Sequence, residues 1–257
     1  RAAPPGHDEL QGPAPLLVDI DMHFDCEVDE RQHTSEDVML LIRTYVDVIE
    51  RLLSFEEGVI MDVYVSQRND VNRLEKKTKD GIHLVFAIEV DRDVQQLIRE
   101  DVLQELPAIW GHLPLKNSWE QVIDAGICRG PTNWMVYGSR KPGHEPYVVT
   151  QLWRFMHRDG IFGEPVEVAD HASFNPKQHL KLMSARYREH PRPSAKETAV
   201  TRALEQVSQN KSVKTRAPKA PDTINSREEL DIEIDKWLNE LSASKPLDYR
   251  LRETHQY

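Results

Sequence analysis

An α+β fold, a sheet backed by helices, is what this 257-residue sequence predicts. Three observations lead there: two strand-then-helix stretches between residues 16 and 106, shorter hairpin-like segments after them, and no internal repeat. A hydrophobic content of 39% is enough for one large α/β domain or two small ones.

The first strand is LLVDIDMHF at 16–24, where Val18, Ile20, Met22 and Phe24 share one face and Asp19 and Asp21 share the other. Next, TSEDVMLLIRTYVDVIERLLS carries apolar residues at helical spacing, from Val38 and Leu41 through Tyr45 to Leu52. Thr34 or Ser35 caps it, with Glu36 and Asp37 in the first turn. VIMDVYVS at 59–66 is a second strand. The polar stretch 67–81 is an exposed connection ending in a turn at Asp80-Gly81, followed by the strand IHLVFAIEV at 82–90. A second helix spans Arg92 to Leu106 and Pro107 stops it. Short strands are expected at Gln121–Asp124, Asn133–Tyr137 and Tyr147–Arg154, around turns at Gly130-Pro131 and from Gly138 to Gly143. Lys177 to Tyr187 is briefly helical until Pro191 and Pro193, residues 208–223 are a linker, and REELDIEIDKWLNEL at 227–241 is a final amphipathic helix. The domain division that follows is a lead-in (1–15), a core (16–175), a basic helical segment and linker (176–223) and a C-terminal helix (224–257).

Composition excludes several classes. No apolar run reaches the roughly 18 residues of a spanning helix, and the Pro-rich opening lacks the apolar centre of a signal peptide. Cys26 and Cys128 alone rule out a disulfide scaffold or a multi-cysteine metal centre. The formal charge of −10 argues against indiscriminate coating of nucleic acid, but the charge is segregated. Residues 181–220 hold 3 acids against 10 Lys and Arg, whereas 1–180 hold 31 against 18. Such a basic arm, with Arg186 and Arg188 in it, can meet phosphates of a single-stranded template.

Two acids side by side on a strand are a holder for hard divalent ions, because like charges that close repel unless a cation or proton intervenes; the plain alternative is a solvated edge strand. His83 sits opposite the apolar pair Ile82 and Leu84, beside a basic loop with Arg68, Arg73, Lys76, Lys77 and Lys79, where an imidazole can donate to an entering phosphate. Alone, the loop reads first as a solvated charge run, and a lone histidine on such a strand reads equally as packing. Asp124 is a third acid of the kind a two-metal site needs, with nothing local to mark it. In the turn YGSRKPG, Gly138 allows close backbone approach, Ser139 can donate a hydrogen bond, and Arg140 and Lys141 offer charge for a triphosphate tail. The sequence contains no Walker loop.

Taken in order, DID, KDGIHLVF, the aspartate at 124 and YGSRKPG resemble the archaeo-eukaryotic primase superfamily, and most closely the primase domain joined to D5-like helicases of large cytoplasmic DNA viruses. The resemblance spans roughly residues 16–157. It implies an RRM-like sheet unit packed against a second α/β unit, with a helical C-terminal region after it. It also implies Mg2+ or Mn2+ on Asp19, Asp21 and Asp124, His83 on the nucleotide's phosphates and Lys141 as the basic residue of the late turn. The basic residue often found in the preceding strand has no counterpart in Asn133-Trp134-Met135-Val136, leaving Arg129 or Arg140 as substitutes. The implied activity is template-directed transfer of nucleotides from (d)NTPs to a 3′-hydroxyl. A helicase partner and a host-cytoplasmic site of viral replication are the implied setting, and a chain opening at Arg1 is expected to be a fragment of a larger replication protein. A metal-dependent nuclease, a DxD glycosyltransferase and a noncatalytic strand-binding module use the same residue types and stay open.

Overall fold

A computed structural model describes residues 12–129, 134, 137–141 and 144–216. The chain divides into two units, Arg1–Val207 and Ser208–Tyr257. All that follows concerns the first, apart from the end of its last helix.

The elements in chain order are β1 (Ala14–Phe24), α1 (Ser35–Leu52), β2 (Leu53–Ser54), β3 (Ile60–Gln67), β4 (Asn72–Arg73), β5 (Thr78–Val90), α2 (Arg92–Trp110), α3 (Trp119–Val122), α4 (Ala125–Arg129), β6 (Val148–Arg158), β7 (Ile161–Phe162), β8 (Val166–Asp170), α5 (Pro176–His179), β9 (Ser194–Ala195) and α6 (Glu197–Arg216). This is an α+β architecture whose main sheet runs β1-β5-β3-β6-β7, with β4 beside β5 and β8 beside β6, every pairing antiparallel. After βαββα the chain returns to the free edge of β1 through a single antiparallel bridge, Ile123 to Ile20, and the next long strand, β6, joins the outer side of β3.

One sheet face carries the main core. Val18, Ile20, Met22 and Phe24 of β1 and Ile82, Leu84 and Phe86 of β5 pack against α1 and α2. α1 begins at a capping box in which the Thr34 hydroxyl accepts from the Asp37 N–H at 3.2 Å and the Asp37 carboxylate accepts from the Thr34 N–H at 2.8 Å. The other face carries a smaller cluster, with Leu17, Tyr64, Val85, Val149 and Leu152 under Phe174 and Met183.

Several expectations need correction. Pro107 does not end α2; the helix continues to Trp110, whose fully buried indole donates to the Asp37 carbonyl at 3.1 Å, so burial outweighs the lost hydrogen bond. Gln121–Asp124 is not a strand: α3, closed by a Ser118/Gln121 capping box, leads into a single bridge between Ile123 and Ile20. The helix expected over 177–187 shrinks to α5 and turns, and the linker expected from 208 is helical to Arg216. The strand over Asn133–Tyr137 lies outside the described residues except for Trp134 and Tyr137, as do 217–223 and the helix at 227–241.

Asp80-Gly81 is not a turn either. β5 starts at Thr78, and the buried Asp80 accepts both arms of the Arg31 guanidinium, at 2.9 and 3.2 Å, and the Gly81 N–H at 2.9 Å. Arg31 also donates to the Arg68 carbonyl at 2.8 Å, tying the end of β3 to the start of β5. His33 completes the cluster with Nδ1 3.5 Å from Asp80 and Nε2 2.7 Å from the Gln67 amide. Burial pushes the His33 pKa down to about 4, against the pull of Asp80, so the ring is neutral in the fold. The unfolded chain binds a proton at this histidine near pH 6.5 and the native one only near 4, so stability falls as pH drops through that window, by roughly 3 kcal/mol. Urea unfolding at pH 7 and pH 4 should show a smaller acid loss in H33Q than in the wild type; equal losses would remove His33 from the account.

Candidate active site

β1 and β5 pair so that Asp19 stands opposite His83, Asp21 opposite Gly81 and His23 opposite Lys79. Opposite residues in an antiparallel pair point to the same face, so these six positions form one patch on the sheet face away from α1 and α2. His83 is 8% exposed, and its Nε2 lies 3.4 Å from Asp19 Oδ1. Burial first, and then Asp19, raises the Asp21 pKa, while Lys79, His23 and His83 pull it back. Lys77 approaches His23 Nδ1 at 3.5 Å from the same hairpin.

The free edge of β1 is covered by the chain that follows α2. Asn117 acts as a strand residue would: its side-chain oxygen accepts from the His23 N–H at 3.0 Å and its amide donates to the Asp21 carbonyl at 2.8 Å. The Asp124 N–H then donates to the Asp19 carbonyl at 2.9 Å. Buried Arg99 of α2 fixes this stretch by donating to the Ile123 carbonyl at 2.8 and 2.9 Å and the Glu120 carbonyl at 2.9 Å. Asp124 is therefore brought beside Asp19 through the main chain, and its Oδ1 accepts the Gly126 N–H at 2.7 Å.

An aromatic wall bounds the patch. The Tyr147 ring stacks on His83 with centroids 3.7 Å apart and planes at 16°, and Trp134 tilts against the imidazole at 4.8 Å. Gly81 is extended, and its lack of a side chain makes room: a Cβ there would lie 2.4 Å from the Tyr147 hydroxyl and 3.1 Å from the Ile20 carbonyl. The Arg68 guanidinium carbon lies 4.5 Å from the centroid of the Tyr147 ring. Gly138, with φ of +75°, donates to the Tyr147 carbonyl at 3.1 Å, so the turn holding exposed Ser139, Arg140 and Lys141 rises from the base of this wall.

Of the residues singled out in the sequence, Asp19, Asp21, His83 and Lys79 share the patch, Asp124 adjoins it and Arg68 reaches its wall. Arg73 and Lys76 are exposed on the hairpin between β4 and β5. Arg186 and Arg188 are exposed in the turns after α5, where Arg188 donates to the Ala185 and Tyr187 carbonyls at 2.8 Å. Burial, and after it the Arg188 charge, depresses the pKa of Arg92. Tyr147, Asn117 and Arg99 carried no local signal in the sequence. His23, two residues beyond Asp21 on the same strand face, did.

Asp19 and Asp21 suit a hard divalent ion: both are oxygen donors on one strand face, and burial first, then the neighbouring Asp19 charge, raises the Asp21 pKa. Among the described residues no three acids, histidines or cysteines stand close enough to hold an ion alone. Two carboxylates completed by substrate phosphates and water is the manner in which Mg2+ is usually held.

The family model of the C962R protein N-terminal AEP domain matches residues 7–153. Among curated proteins, none matches the chain.

If the burial of the Asp21 carboxylate, and its repulsion by Asp19, are costs borne by the fold, D21N should stabilise the metal-free protein by about 1 kcal/mol, as removal of a functional strain does. Urea denaturation in a chelating buffer measures it; a loss of stability would mean that Asp21 has a structural partner.

Proposed function

The chain belongs to the archaeo-eukaryotic primase superfamily, in its viral type, and on that basis we propose that it makes primers by template-directed transfer of nucleotides from (d)NTPs to a 3′-hydroxyl. The family is one of primase-like nucleotidyltransferases, generally dependent on a divalent metal, and a primase domain implies binding of DNA and nucleoside triphosphates. Among the described residues no helix is long and apolar enough to cross a membrane.

The observation that carries the reading is the cross-strand pairing of Asp19 with His83 beside Asp21. Asp19 and Asp21, with substrate phosphates and water completing the shell and Asp124 adjoining them, would hold Mg2+ or Mn2+, which when bound lowers the pKa of the attacking hydroxyl and neutralises the departing pyrophosphate. His83, whose Nε2 is 3.4 Å from Asp19, would donate an imidazole N–H to a phosphate drawn to that carboxylate by such an ion. Lys79 on the same face, and Ser139, Arg140 and Lys141 on the turn, would take the rest of the triphosphate. Arg73, Lys76, Lys77, Arg186 and Arg188 would follow a single-stranded template, with Arg68 at the wall. A helicase that opens duplex ahead of the primase belongs to the same proposal.

Primer synthesis on single-stranded DNA, with ribo- or deoxynucleotides and either metal, tests the reading. D19A and D21A should each lower synthesis about a hundredfold or more, and H83A should weaken nucleotide binding about tenfold. Undiminished synthesis by both aspartate variants would sink the assignment, and cleavage of a labelled strand without nucleotides would make the site a nuclease. The double variant R186A/R188A should flatten the dependence of log affinity for single-stranded DNA on log salt by about 1.4, at about 0.7 for each phosphate contact; an unchanged slope removes these two from the template path.

A further inference from the structure

The aromatic wall holds a cation that lacks the compensation its neighbour has. Arg31 is neutralised by the two-armed bond to buried Asp80. Arg68, whose own carbonyl accepts from Arg31, instead lays its guanidinium over Tyr147, and its Nε is sealed from solvent with no hydrogen-bond partner among the described residues. His83 covers one face of the Tyr147 ring at 3.7 Å, which leaves the other face to Arg68. Asp19, His83, Tyr147 and Arg68 therefore form a single row, each against the next, starting at a carboxylate of the patch.

A desolvated guanidinium donor is costly unless an anion or acceptor meets it. A phenol ring between two flat cation-capable groups supplies no hydrogen bond to either, but it fixes the plane and position of both. Simple core packing would account for a buried tyrosine. It does not account for the unsatisfied Nε of the guanidinium laid over that ring.

We propose that Tyr147 is a positioning residue which holds His83 and Arg68 as one split polyphosphate clamp, with Arg68 binding the triphosphate of the incoming nucleotide rather than the template. The inference rests on the nucleotidyltransferase reading of the patch. It assigns His83 and Arg68 to two different phosphates of one ligand, with Tyr147 setting their separation. The ring face, not the hydroxyl, carries the function.

Calorimetric titration of the full chain with magnesium and inorganic triphosphate, paired with nucleotide KM and kcat in primer extension, tests it. Y147L and R68A should each weaken triphosphate binding and raise KM about fivefold to tenfold, with kcat within about twofold, the loss of a cation–π contact and the bond it orients. Y147F should restore wild-type values. The double variant Y147L/R68A should be no weaker than the poorer single one, since loss of Tyr147 already releases the guanidinium that R68A removes. Additive losses, or R68A binding triphosphate as the wild type does, would overturn the clamp; R68A lies at the end of the row and serves even where Y147L fails to fold. H83A separates the two levels of argument. If H83A weakens binding while R68A and a folded Y147L do not, only the clamp fails; if H83A binds normally as well, the phosphate site of the nucleotidyltransferase reading fails first.

Discussion

The register of β1 against β5 is the constraint on which the remainder depends. With Ile20 opposite Ile82 and Val18 opposite Leu84, the apolar residues of both strands enter the main core together. The residues between them, Asp19, Asp21, His83 and Gly81, are then forced to the other face as a set. A slip of one residue would bury two carboxylates and expose the core row, a cost far beyond any gain from alternative pairings. Chemistry and packing are thus fixed by the same ladder of hydrogen bonds, and neither can drift without the other.

Around this ladder the polar groups divide into those the fold satisfies and those it leaves in need. Asp80, although buried, has Arg31 and a main-chain N–H, and it joins β3 to β5 where the hairpin opens. Asp21 and Arg68 lack that degree of compensation. Charges of opposite sign left short of partners on one sheet face are what a ligand carrying both a cation and phosphates would complete.

Much of this was legible in the residues. Alternation in LLVDIDMHF placed the two acids on one face, and the apolar spacing of α1 and the opposition of His83 to Ile82 and Leu84 gave their faces correctly. The failures share a cause, which is that tertiary partners override local signals. Asp80-Gly81 has the chemistry of a turn, but Arg31 and Tyr147, distant in sequence, make it a strand. Pro107 has the chemistry of a helix stop, but Trp110 buries itself one turn later. Asp124 was singled out without local support, and its place beside Asp19 is set by Arg99 and Asn117, which show no pattern of their own. The aromatic wall was invisible because stacking between residues 83 and 147 leaves no periodicity to read.

The edge of β1 carries a consequence for how the molecule assembles. Its neighbour in the sheet is the third long strand of the chain, and its outer side is closed only by residues 117 to 124, almost a hundred positions downstream. Contacts of such long sequence separation require large loops to close before they return any stabilisation, which slows folding and leaves an unpaired strand edge exposed meanwhile. A chain emerging from the ribosome therefore carries its carboxylate strand incomplete until well past the midpoint of translation of this unit, and the period of greatest risk for aggregation coincides with the absence of the very segment that shields that edge.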